Sequence, residues 1–144
     1  MHYGYTIDPG RRFIFQVFSG HFTVAQIIHC IQQLWADPLY SKTHNGIVDI
    51  TGMSTGAVID DLRPLIAFLK SSPNTSASRW AVITASPLAT AGSLVYKGAM
   101  SGQHAFEVFS TWESACAYMQ IEQPRPPELI FKITRPDTPV PAPV

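Results

Sequence analysis

The chain has 144 residues, a size that one domain with a sizeable core accommodates. Charged residues make up only 14% of it and the net charge is zero, where an ordinary soluble domain carries about 25% charged residues. That balance excludes the basic stripe expected of a nucleic-acid binder, and a thinly charged, neutral surface favours self-association, so a homodimer is expected.

Taken in chain order, Tyr3 to Ile7 reads as a short strand, and "DPGR" (8–11) is turn chemistry. "RFIFQVFSG" is dense in aromatic and β-branched residues and predicts a second strand, antiparallel to the first and ending at Gly20. Thr23 with Gln26 forms a capping box, and Phe22 with Ile27 occupies the positions of a hydrophobic staple. Ile27, Ile31, Leu34 and Trp35 then repeat at helical spacing until Asp37-Pro38 stops the helix. "GIVDI" (46–50) predicts a strand buried on both faces.

Pro64 decides where the second helix begins. In a helix interior it would cost about 3 kcal/mol, so the spacing predicts a start near Asp60, with Asp60 as cap and a stripe of Leu62, Ile66 and Leu69. "RWAVITA" (79–85) is another buried strand, and Ser86-Pro87 offers a cap followed by proline at the first helical position. Leu88, Ala91, Gly92, Val95 and Ala99 are the expected packing face of that third helix. "AFEVF" (105–109) is a fifth strand, and Ser110 with Glu113 predicts a second capping box opening a helix with the stripe Trp112, Ala115, Cys116 and Met119.

The order ββαβαβαβα implies one α/β domain over residues 1–122, a mixed, mostly parallel sheet of about five strands with helices packed on it. Seven of the last 22 residues are proline, so 123–144 reads as a proline-rich tail, disordered from about Arg135. Within it "ELIFKI" (128–133) alternates enough to add a strand to a sheet edge, in its own subunit or a neighbour's. Cys30 and Cys116 fall in separate predicted helices and read as free thiols of a reducing cytoplasm. The N-terminus has no signal-peptide pattern, and no apolar run approaches the roughly 18 residues of a membrane span. A cytoplasmic, non-membrane-spanning protein is expected.

Two resemblances sharpen the fold. The strand-helix order resembles the STAS fold of anti-anti-sigma factors, which carry an acceptor serine in an Asp-Ser-Ser-Gly-like motif at the start of the second helix. Here "MSTG" supplies Ser54, Thr55 and Gly56 without a preceding aspartate, and Asp60 and Asp61 would repel a phosphate. Ser54 and Thr55 are therefore read as loop residues rather than phosphoacceptors. Over positions 3–121 the chain is similar to the SpoIIAA-like (STAS/SEC14-domain) family of small bacterial proteins. "YTIDPGRRFIFQVFSGHFT" resembles its opening hairpin and "LWADPLYSKTHNGIVDITG" its Asp-Pro-x-Tyr stretch and aspartate-ended strand. "WAVITASPLATAG" and "FEVFSTWESACAYM" resemble its last two strand-to-helix units. Relatives often carry an arginine a few residues after the position of Gly92, where this chain has Ser93, Leu94, Val95 and Tyr96, so the family's anion site is not carried over.

Catalytic and metal motifs are absent. The five histidines show no H-x-x-x-H or H-E-x-x-H spacing, and neither cysteine completes a zinc set. His29, beside the first helix's stripe, reads as a hydrogen-bonded, half-buried residue. "TAGSLVYKG" lacks the G-x-S-x-G elbow, so a trio of Ser93, His104 and an aspartate is no more than chance would supply. Phosphate loops are missing as well. No enzyme activity and no cofactor are expected.

The expected function is a regulatory or protein-interaction module, with a carrier or sensor of a small apolar ligand as the alternative. Phe13, Phe15, Phe18, Trp35, Trp80 and Trp112 are the aromatic residues that could line its pocket. Asp49, at the carboxyl end of a central strand, leads a candidate ligand or partner site completed by Ser54, Thr55, Gly56, Ser86 and Gly92.

Overall fold

The computed structural model describes residues 1–54, 58 and 60–122, together with the backbone of 132–134. The elements are β1 (His2–Asp8), β2 (Phe13–His21), α1 (Val24–Ala36), β3 (Asn45–Ser54) and α2 (Arg63–Ser71), followed by β4 (Arg79–Ile83), α3 (Pro87–Ala99), β5 (Ala105–Phe109), α4 (Trp112–Met119) and β6 (Lys132–Thr134). They form one sheet in the order β5-β4-β3-β2-β1-β6. β1 pairs antiparallel with β2 and with β6, while β2, β3, β4 and β5 run parallel. The α/β class and the mixed sheet opening on a hairpin therefore agree with the reading of the sequence. Of the tail segment 128–133, residues 132 and 133 belong to β6, which lies on the free edge of β1, and the remainder of the tail lies outside the described residues.

Local chemistry explains the entries. In the hairpin turn the Asp8 carboxylate accepts the Arg11 N–H at 3.1 Å. At α1 the Thr23 hydroxyl accepts from the Gln26 N–H and the Gln26 carbonyl oxygen accepts from the Thr23 N–H, the full capping box. Ser86 caps α3 by accepting from the Ala89 N–H at 3.1 Å, with Pro87 behind it. Gly20, at φ 96°, adopts a backbone that a β-carbon would strain, and the Met1 backbone occupies the space such a carbon would need.

Three boundaries differ from expectation. β3 continues to Ser54, because its pairing with β2 resumes after a bulge between Val17 and Ser19. Asp60 does not cap α2. Leu62 is the N-cap without a side-chain bond, and Asp61 takes the first free N–H, that of Arg63, at 3.1 Å. Pro64 still falls in the first turn. The cap of α4 is Thr111 rather than Ser110, so the box with Glu113 is replaced by Thr111 accepting from the Ser114 N–H.

The largest correction concerns α3. Leu88, Ala91 and Val95 face outward, and the buried residues are Ala89, Gly92 and Ser93. Small residues let this helix settle close to the sheet, which a stripe of leucine and valine would not permit.

α1, α2 and the end of α3 cover one face of the sheet and share its larger core with Ile14, Phe18, Trp80, Val82 and Phe106. α4 alone covers the other face, over Phe13, Phe15, Ile47, Ala81 and Ile83. Ile14, Phe15, Phe22 and Ile47 have no solvent-accessible surface, and full burial of each is worth about 1.5–3 kcal/mol. Both cysteines are buried free thiols, one in each core.

In the larger core the Trp80 ring lies across Gly46, where a β-carbon would overlap it. The ring cannot swing away freely, because its Nε1–H donates to the Ser76 hydroxyl at 2.7 Å. Gly46→Ala should therefore lower unfolding stability by about 1–3 kcal/mol, the usual cost of overpacking, as measured by urea denaturation. A midpoint indistinguishable from wild type would show that the ring moves aside without penalty.

Candidate functional site

Parallel strands covered by three helices on one face leave a gap where the helices do not meet. Here that gap is an apolar cavity of about 190 Å³ between the sheet and α1, α2 and α3. Its floor is a row across adjacent strands, Gln16 of β2 beside Val48 of β3 beside Val82 of β4, with Trp80 and Phe106 next to it. Ile27, Ile31 and Leu34 of α1, Leu62 at the cap of α2, and Leu65 and Leu69 within it supply the apolar roof. α3 contributes Gly92, Ser93 and Tyr96.

One wall is polar and internally bonded. The His104 Nδ1–H donates to the Ser76 carbonyl at 3.1 Å, which leaves Nε2 to accept from the Tyr96 hydroxyl at 3.3 Å. The same Ser76 takes Trp80 Nε1–H through its side chain. Burial is the main influence on His104 and holds its pKa below the ordinary value, with the Ser76 carbonyl opposing it. Burial likewise raises the Tyr96 hydroxyl and pushes Tyr40, which donates to the Asn74 carbonyl at 2.6 Å, up to about 12. Among the described residues no Lys, Arg, Asp or Glu lines the cavity. Its interior is neutral.

The residues singled out from the sequence are not brought together. Gly92 lines the cavity. Asp49 is buried and its carboxylate accepts from the Thr51 N–H and hydroxyl at 2.8 and 2.7 Å, a local turn. Ser54 is the exposed last residue of β3, Ser86 is the α3 cap, and Thr55 and Gly56 lie outside the described residues. Of the six aromatic candidates, Phe18, Trp35 and Trp80 line the cavity, while Phe13, Phe15 and Trp112 belong to the opposite core. Ser93 and His104 do share the cavity, yet no hydrogen bond joins them, and among the described residues no carboxylate stands behind the histidine. His29 differs from its reading, since its Nε2 is buried with no partner among the described residues. No group of three metal-ligating side chains occurs among them either, and no described helix is long and apolar enough to cross a membrane.

Sequence reasoning missed Gln16, Ser93, Tyr96 and His104 as cavity residues. The one usable signal was Gln16 itself, a lone polar residue on the inward face of an otherwise apolar strand. No protein-family model, curated protein or solved structure matches this chain.

Because the native pKa of His104 lies below the 6.5 of a free histidine, the unfolded chain binds more protons as pH falls through that value. Its contribution to stability is complete above pH 6.5 and is lost as the pH drops below it. His104→Asn, which keeps a donor for the Ser76 carbonyl, should flatten the loss of stability below pH 6.5 in thermal melts. His44, also shifted down by burial and Arg12, adds a slope that the variant retains. Parallel pH curves for the two proteins would contradict the assignment.

Proposed function

We propose that the protein is a non-catalytic carrier or sensor that holds a small, largely apolar ligand between its sheet and helices α1 to α3. The observation that carries this reading is the cavity of about 190 Å³ with its neutral, mostly aliphatic and aromatic lining. An apolar cavity of about 150 Å³ already admits benzene, so the space suits a single ring or a short branched chain. Apolar lining with a few convergent polar groups is the usual make-up of a small-molecule site.

A second reading rests on the outer face of α3, where Leu88, Leu94 and Val95 are 52%, 53% and 62% exposed. Together with the hairpin-led strand order and the quoted motifs, it supports a SpoIIAA-like, STAS-type regulatory module that self-associates through this face. Such a protein would run as a homodimer in native mass spectrometry, and Val95→Glu would return it to monomer without unfolding it. A wild-type monomer removes this reading and leaves the cavity untouched.

Toluene is the first probe for the cavity. At ten times its Kd it should stabilise the protein by about 1.4 kcal/mol and raise Tm by a few degrees. Trp35 and Trp80 line the cavity and should report binding by fluorescence, and Val82→Phe, which fills the floor, should abolish both signals. Equal responses from wild type and Val82→Phe would place the probe elsewhere.

A further inference from the structure

Two polar groups that line the cavity keep hydrogen-bonding positions that no described residue takes up. Gln16 is only 7% exposed, and its Oε1 accepts from the fully buried Tyr3 hydroxyl at 2.8 Å. Tyr3 has no other acceptor among the described residues, so its hydroxyl donates to Gln16, and this fixes the orientation of the carboxamide. The other end of that group, Nε2 with two N–H donors, meets no acceptor among the described residues, although Gln16 lines the cavity. Ser93 is 8% exposed, lines the same cavity, and its hydroxyl is likewise without a partner there. Neither group is sealed off like His29 Nε2, so both can be reached through the cavity, and each can make a hydrogen bond to a polar atom held there.

We infer that the ligand is a neutral apolar molecule of about six to ten heavy atoms with one hydroxyl or carbonyl oxygen, and that Gln16 selects it by donating Nε2–H to that oxygen. This rests on the apolar-cavity reading and adds to it the chemistry of the ligand's head. Size follows from the cavity, polarity from the open donor. Neutrality follows from the lining, since a carboxylate or ammonium would arrive without a counter-charge among the described residues. His104 supplies none, because both its ring nitrogens are engaged, by Ser76 and Tyr96. The Ser93 hydroxyl remains to take the proton of a ligand alcohol.

The test compares toluene, benzyl alcohol and benzoate on the 15N-labelled full-length chain, wild type and Gln16→Met. The inference expects the Gln16 side-chain amide resonances to move with benzyl alcohol but not with toluene, and benzoate not to bind. Gln16→Met should weaken benzyl alcohol about tenfold, the scale of one hydrogen bond in a dry site, and leave toluene within about twofold. If wild type fails to bind toluene, the cavity reading itself falls. Toluene binding with Gln16 resonances that ignore benzyl alcohol, or equal effects of Gln16→Met on both probes, overturns the head-group inference alone. Should Gln16→Met fail to fold because the Tyr3 hydroxyl is stranded, the wild-type amide resonances decide the matter by themselves.

Discussion

The site depends on how Trp80 is seated. Gly46 has no β-carbon, so the indole of a neighbouring strand can lie flat across β3. Ser76 then anchors that ring through its hydroxyl and anchors His104 through its carbonyl, and His104 in turn accepts from Tyr96 on α3. A single loop residue thus ties β4, β5 and α3 into one wall. Without it the indole would have no fixed orientation, and α3 would lose the contact that holds it at a set distance from the sheet. The cavity is what remains between this wall and the aliphatic side chains of α1 and α2.

Such a space is expensive to keep. The space gives up contacts that a closed core would make, and total stabilities of roughly 5–15 kcal/mol for domains of this kind leave little room for such losses. Ordinary drift in sequence would fill it cheaply, since Gly92 and Ser93 sit at helix positions where alanine or leucine would be at least as helix-favouring. A small residue on a helix face, an aromatic held by a hydrogen bond, and a carboxamide bonded only through its oxygen in the floor all work against compact packing in the same place. Conflict between local preference and dense packing is characteristic of functional sites rather than of structural cores.

Much of the fold is legible in the sequence for a physical reason. Strands β2 to β5 are covered on at least one face by helices and read as apolar runs, and α1 announces its start through a capping box that uses only Thr23 and Gln26. The orientation of α3 is illegible because two stripes compete on it. Leu88, Ala91 and Val95 repeat at helical spacing just as Ala89, Gly92, Ser93 and Tyr96 do, and hydrophobicity favours the former. What selects the latter is close approach to the sheet, a property of the assembled fold. The start of α2 lies beyond Asp60 for a related reason: the Asp61 carboxylate engages the N–H and guanidinium of Arg63, and the helix opens at Arg63 with Leu62 as its N-cap.

The cavity was harder still to foresee, because its polar groups come from distant points of the chain and none belongs to a motif. Ser76 meets His104 across 28 positions and Tyr3 meets Gln16 across 13. Asp49 looked the better site residue, at the end of a central strand, but a carboxylate satisfied by the next turn is chemically spent. Gln16 is the reverse case. Its neighbours Ile14 and Phe18 on the same face are ordinary core, and a valine there would pack well. A carboxamide bonded through its oxygen to a buried tyrosine packs less well at this position than such a valine would. Its presence is explained when something in the cavity takes the remaining N–H, and that makes Gln16, rather than the residues at the strand ends, the point from which the chemistry of the site is read.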